Sequence, residues 1–187
     1  MEYTFTIDSL LEGCKRGERR AQEMLYRTLA PRMMGVCMRY ARDKAEAEDI
    51  LQMGFIKVFQ KIASFKSEGS FEGWVRRIMV NTAIEMYRRN LRTLDMVEIE
   101  EGYNVPQTTF NISELETKDL ISLIRELSAG YRLVFNMYVI EGYSHKEIAA
   151  ELGITEGASK SQLSRARAIL KERIIKMEGS GYANNVG

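Results

Sequence analysis

Apolar positions recur at helical spacing along nearly the whole chain, and no segment alternates apolar and polar residues long enough to read as a strand. The pattern predicts helices over residues 8–29, 31–42, 44–62 and 70–90, and again over 112–127, 130–140, 144–152 and 156–176. Pro31 falls in the first turn of the second helix, where its missing N–H costs little. Between residues 91 and 111 the periodicity dissolves into an acidic stretch with turn residues, which reads as a linker. The Gly- and Asn-rich end reads as a frayed tail. The expected architecture is all-α. Two small helical domains, 1–90 and 112–178, are joined by a flexible linker, 91–111, and followed by a flexible tail, 179–187.

Composition narrows the function classes. Of 187 residues, 45% are apolar and 28% charged, which supports a core and excludes a wholly disordered chain. No run approaches the roughly 20 uninterrupted apolar residues that span a bilayer. Met1-Glu2-Tyr3-Thr4 does not open a basic segment followed by an apolar run, so no secretory signal is expected. Two cysteines are too few for a disulfide framework, and a single histidine makes a multi-histidine metal site impossible within one chain. The expectation is a reduced, cytoplasmic setting with no metal and no cofactor. Eleven methionines and two prolines suit helices with adaptable apolar contacts.

The net charge of +1 hides an uneven distribution. Residues 1–90 carry +4, residues 91–129 carry −5 and residues 130–187 carry +2. Within the last block, residues 157–176 hold six basic side chains and one acid. Such a local stripe attracts a phosphate array.

That stripe belongs to a helix-turn-helix pattern. Ser144-His145-Lys146-Glu147 is a capping box, in which the Ser hydroxyl and the Glu carboxylate each satisfy an otherwise orphaned N–H. Ile148, Ala149 and Leu152 follow on one face, and Ala149 is small enough for a second helix to cross closely. Gly153 supplies the turn, Ile154 plugs the corner and Thr155 caps the next helix. That helix is expected to bury Ala158, Leu163, Ala166, Ile169 and Leu170 and to leave Lys160, Ser161, Ser164, Arg165 and Arg167 outward. A basic helix presented this way fits the DNA major groove, with its N-terminal part on base edges. The plainer alternative is a helical hairpin with a solvated basic face. His145 is expected at an exposed N-terminal position, in a surface or phosphate-contacting role.

A second basic helix follows the loop Ser64–Ser70. In residues 71–92, Phe71, Trp74, Val75, Ile78, Met79, Thr82 and Met86 share one face, while Arg77, Asn81 and Arg88 share another. An Arg/Asn face beside a loop holding an aromatic and small polar residues suits single-stranded nucleic acid, by phosphate neutralisation and a pocket for an unstacked base. Trp74 reads alternatively as a core anchor, and Arg76 and Arg77 as solvated surface.

In Ala45–Ile62 the core face is Ala47, Leu51, Gly54, Phe55, Val58 and Ile62. The opposite face holds Asp49, Gln52 and Gln60, interrupted by Met53 and Ile56. Isolated exposed apolar residues are common. The functional reading is a protein-docking face, with Met53 and Ile56 as anchors and Glu48 and Asp49 pairing with basic residues of a partner.

These three features, in this order, resemble a bacterial RNA polymerase sigma factor of the extracytoplasmic-function group, over roughly residues 8–176. Ala47–Phe55 resembles the helix by which that family docks on core RNA polymerase; the resemblance implies contacts from Glu48, Asp49, Gln52, Met53 and Ile56. The usual pattern has an acid where Met53 stands; that departure weakens one expected salt link and fits an apolar contact instead. Gly69–Thr82 resembles the segment that melts and reads the upstream half of the melted promoter. This implies a base pocket at Asn81 and the 65–70 loop, with Lys66, Ser67, Ser70, Trp74, Arg77 and Arg88 around it. Tyr143–Arg167 resembles the helix-turn-helix that reads the distal promoter element, through His145, Ser159, Lys160, Ser161, Ser164, Arg165 and Arg167. Core polymerase, promoter DNA and a membrane-linked anti-sigma factor are the implied partners. The competing readings are a stand-alone helix-turn-helix regulator, which needs no polymerase, and a helical enzyme. Against the enzyme stand the missing Gly-rich phosphate cradle, nucleophile–His–acid set and metal cluster.

Overall fold

The computed structural model describes residues 6–66, 68–93 and 117–183. Among these, every regular element is helical. The chain divides into two compact units, Met1–Met86 and Tyr87–Gly187.

The first unit holds α1 (Ile7–Lys15), α2 (Arg19–Tyr40), α3 (Lys44–Lys61) and the start of α4 (Phe71–Thr93). A single 3₁₀ turn, Ile62–Ser64, ends α3. The long first helix expected over 8–29 is in fact broken, at residues 16–18, because Gly17 adopts φ +78° and carries the chain back on itself. The turn lays Leu10, Leu11 and Cys14 into the core beside Leu25, Leu29 and Met33. The break expected before Pro31 is absent, since α2 runs straight through it. An interior proline costs about 3 kcal/mol. The helix on either side buries Leu25, Leu29, Met33, Val36 and Cys37, at roughly 1.5–3 kcal/mol for each large apolar side chain, so burial wins. Burial also pushes the Cys37 thiol up to about 12, which leaves it a small inert hydrophobe. Asp43 caps α3 by accepting from the Glu46 N–H at 2.8 Å, and that bond holds its carboxyl below the usual range.

The second unit holds α5 (Thr117–Arg125), α6 (Ala129–Phe135) with a π-helical turn over Asn136–Ile140, α7 (His145–Leu152) and α8 (Glu156–Ala183). Its core is Leu123, Ile124, Leu133, Val134, Phe135, Met137, Ile148, Leu163, Ala166, Leu170 and Ile174. Arg132 is buried in it. Its guanidinium donates to the carbonyls of Arg125 (2.7 Å) and Leu127 (3.3 Å), satisfying the orphaned end of α5 with a charged donor. Helix α8 extends seven residues past its expected end at 176. Residues 94–111 of the expected linker and 184–187 of the expected tail lie outside the described residues, while 91–93 continue α4.

Candidate polymerase and nucleic-acid interfaces

The outer face of α3, expected to dock a partner, is left over because the other face is fully committed to the core. Ala47, Ile50, Leu51, Gly54, Phe55 and Val58 are buried, leaving Asp49, Gln52 and Ile56 exposed and Glu48 and Met53 half-buried. Ile56 is 56% exposed, against 36% for Ile7 and 37% for Tyr26, the other exposed large apolar residues among the described residues of this unit. Glu48 pairs with Lys44 at 3.5 Å on the surface. Lys57 is held away from the face by Glu85 at 2.5 Å.

The α4 face is built by an aromatic anchor. Phe65, Phe71 and Trp74 meet with ring centroids 5.1–5.6 Å apart, fastening the loop before α4 to its first turn. Ser70 starts the helix, accepting from the Gly73 N–H at 3.3 Å. Arg77, Asn81 and Arg88 are all exposed, as are Lys66 and Ser70. Trp74 is half-buried in the stack, so its ring supports the loop rather than standing free. Ser67 lies outside the described residues.

Beside this loop, between α2 and α4, lies a cleft of about 530 Å³ with the apolar Met33 and Val36 in its lining and Arg32, Arg39, Ser70, Glu72, Gly73 and Arg76 around them. Arg32 reaches across it to Glu72 at 2.7 Å. The sequence reading missed Arg32 and Arg39. Their spacing of seven, which puts both on one face of α2, was the available signal.

The helix-turn-helix forms as its motif dictates. Ser144 accepts from the Glu147 N–H at 3.2 Å, and the Glu147 carboxylate accepts from the Ser144 hydroxyl at 2.7 Å and from the Ser144 N–H at 2.8 Å, which together, the hydroxyl first, hold that carboxyl below its usual range. Gly153 closes α7 in the left-handed region, φ +69°. Thr155 caps α8, accepting from the Ala158 N–H at 3.0 Å.

Three of the expected base-contacting residues are placed differently. Ser159 is fully buried, and its hydroxyl lies 2.9 Å from His145 Nδ1. The His145 ring, expected in solvent, is half-buried and stacks on Tyr138 with centroids 4.4 Å apart. Arg165 is half-buried and donates to the Tyr131 hydroxyl at 3.1 Å. The cause is the close crossing of α7 and α8, which turns the inner edge of the basic stripe against α6 and α7. Burial, then Lys160 and Arg167 nearby, hold the His145 pKa below its usual value, against a smaller opposing effect from Glu156. Lys160, Ser161 and Arg167 remain exposed and Ser164 half-exposed, with the Arg167 guanidinium 5.8 Å from the Tyr138 ring centroid.

Comparison with known proteins matches residues 25–93 to sigma-70 region 2 and residues 117–170 to sigma-70 region 4. The chain is 31% identical to the ECF RNA polymerase sigma factor SigE of Mycolicibacterium smegmatis over 159 residues, covering 81% of this chain and 61% of that protein. It is 27% identical to the ECF RNA polymerase sigma-E factor of Haemophilus influenzae, covering 93% of this chain and 98% of the relative. It is also similar to the Bartonella quintana sigma factor RpoE, solved in complex with the anti-sigma factor NepR (25% identity, 80% of this chain and 94% of that one, TM-score 0.47). With region 2 and region 4 present in this order, and a relative matched over nearly its full length, the chain belongs to the extracytoplasmic-function group of the sigma-70 family of RNA polymerase sigma factors.

Proposed function

We propose that this sigma factor binds core RNA polymerase through the outer face of α3, holds the melted upstream half of the promoter on α4 and its preceding loop, and reads a distal duplex element with α8. The observation that carries the reading is the presence on one chain of a region 2 segment with an exposed Ile56 and an exposed Arg/Asn face, followed by a region 4 helix-turn-helix with a basic outer edge.

Each surface has a distinct physical task. Ile56 and Met53 supply the apolar centre of the polymerase contact, with Glu48, Asp49 and Gln52 as its polar rim. Arg77 and Arg88 neutralise phosphates, while Asn81 and the Lys66–Ser70 loop hydrogen-bond an unstacked base. That contact offsets the few kcal/mol that unstacking costs. Lys160, Ser161, Ser164 and Arg167 reach base edges of the distal element. Ser159, His145 and Arg165 hold the reading helix in place. The factor lends specificity to the polymerase, which performs the chemistry, and it acts in the cytoplasm. A stand-alone regulator would use the N-terminal half for dimerisation or ligand binding, whereas that half matches sigma-70 region 2.

An anti-sigma factor covering the α3 face and the helix-turn-helix would hold the factor off polymerase and DNA alike. Titration of purified core polymerase with the chain, followed by permanganate footprinting on a promoter, tests the proposal. Saturable binding followed by reactive thymines is the expected result. A chain that binds promoter duplex without core, and does not associate with core, would overturn it.

A further inference from the structure

We infer that Tyr138 and His145 are positioning residues for Arg167, a stacked pair that aims its guanidinium at the distal promoter element. This rests on the reading of α8 as the helix that meets that element. Lys160, Ser164 and Arg167 follow at helical spacing along one side of α8, so Arg167 stands two turns past Lys160. Fixing a free arginine costs rotamer entropy, and a contact made beforehand removes that cost from binding. The contact given to Arg167 differs from those of its neighbours on α8. Arg165 uses an N–H on the Tyr131 hydroxyl at 3.1 Å, and Arg173 pairs with Glu126 at 3.1 Å. Arg167 is exposed and lies over the Tyr138 ring, 5.8 Å from its centroid. A ring face attracts a guanidinium without occupying its N–H groups, so they stay available to DNA.

The ring is itself held in place. It belongs to the π-helical turn Asn136–Ile140, closed by the Glu141 N–H on the Asn136 carbonyl at 3.0 Å, a winding found often at functional positions. Tyr138 stacks on His145 with centroids 4.4 Å apart and planes 23° from parallel. His145 follows the Ser144 cap at the start of α7, and its Nδ1 lies 2.9 Å from the Ser159 hydroxyl. Ser159 is buried in line with Leu163, Ala166 and Leu170 on the core side of α8. An alanine would pack there with no polar group to satisfy. The hydroxyl fixes the imidazole, which an apolar residue cannot do.

The groups around the imidazole give this arrangement a sign. Burial, then Lys160 and Arg167 of α8, oppose its charging, and Glu156 of α8 favours it. Tyr138 faces it from the π turn, and Lys146 and Glu147 follow it on α7. A neutral ring leaves Arg167 undisturbed, whereas an imidazolium adds a like charge beside it.

The test uses holoenzyme assembled from the full chain and core polymerase, binding a promoter duplex and the same duplex with single base-pair changes in the distal element. Arg167→Ala should weaken binding and relax preference at one or two base pairs. Tyr138→Leu, which keeps an apolar side chain and removes the ring, should weaken binding about two- to fivefold at those same base pairs. Tyr138→Phe, which keeps the ring, should bind as wild type. Combined with Arg167→Ala, Tyr138→Leu should add no further loss. A second loss of the same size in the double variant would overturn the inference and leave the reading of α8 intact, since the ring would then act on the fold alone. Wild-type affinity and preference in Arg167→Ala would overturn both. A pH profile keeps the test independent of folding in the Tyr138 variants. His145 is the one histidine of the chain, so the ratio of wild-type to Arg167→Ala affinity at constant salt reads its charge. That ratio should hold steady well above pH 6.5, the ordinary value for the ring, and fall as pH drops from there to about 5. A ratio that stays flat over that range, as an imidazolium contacting a phosphate on its own would leave it, or one that rises, would overturn the inference.

Discussion

The outer faces of α4 and α8 carry the same kinds of residue and end up in different surroundings. On α4, Arg77, Asn81 and Arg88 are all exposed, as their angular positions dictate. On α8, the stripe of the same sign is divided. Lys160, Ser161 and Arg167 stay outside, while Ser159 is buried against His145 and Arg165 reaches Tyr131. A helix packed on one side exposes whatever its wheel points outward. A helix crossed closely by a neighbour, as α8 is by α7, has part of its polar face recruited for assembly. Two arginines on similar polar faces can therefore end up in different places, one open to solvent and the other fastening a fold.

The sharpest break of this comparison concerns a third face, α3, which is packed on one side like α4. Ile56→Glu should cost about 2–3 kcal/mol in affinity for core polymerase, as an apolar anchor replaced by a charge does, with the thermal transition unchanged because Ile56 is exposed. A titration of core with the variant measures this. Next comes the division within α8. Lys160→Ala should cost about 1–3 kcal/mol at the distal element, concentrated on one or two base pairs. Arg165→Ala should instead lower the unfolding free energy by about 1 kcal/mol through the lost Tyr131 bond, with base preference retained. Binding to a panel of single-base promoter variants, alongside denaturant melts, separates the two outcomes.

On α4, Asn81→Ala should reduce open-complex formation by about 1–2 kcal/mol and leave closed-complex affinity alone, as permanganate reactivity and gel retardation would show. The buried edge of α8 yields a pH signature. The His145 pKa lies below its ordinary value of 6.5, so the native ring is neutral while the unfolded chain takes up a proton first. Stability is thus full above pH 6.5 and declines as pH falls from there toward the folded pKa. Amide exchange in α7 and α8 should quicken over that range, and His145→Asn should flatten the dependence. The smallest effect belongs to Lys171, exposed and farther along α8. Lys171→Ala should weaken all DNA sequences alike and lower the salt slope by about 0.9.

Much of this was legible in the residues because it is local. Ser144 with Glu147, and Gly153 followed by Thr155, fix their own geometry within a few residues, and they appear as written. The committed core face of α3 was equally readable, because burial at helical spacing leaves no alternative wheel. What failed is set by long-range packing. Gly17 breaks the first helix because α1 must fold back on α2, and Pro31 does not break the second because apolar side chains on both sides of it are buried. Neither outcome follows from the local propensity of the residue. Arg132 reads as one more basic side chain, yet it is buried, closing the carbonyl end of α5 from seven residues away. The cleft was missed for the same reason, since Arg32 and Arg76 come to line one cleft only through the packing of α2 against α4.

In the proposed function one chain reads two separated promoter elements on behalf of polymerase. In vitro transcription from a randomised promoter library, with core polymerase and this chain as the only initiation factor, tests it most directly. Transcripts should be enriched for a two-part motif, one part within the melted region and the other at a fixed spacing upstream. Lys160→Ala should relax the upstream part alone, and Asn81→Ala the downstream part alone. Enrichment of a single palindromic duplex site, bound equally well without core and yielding no core-dependent transcripts, would contradict the account.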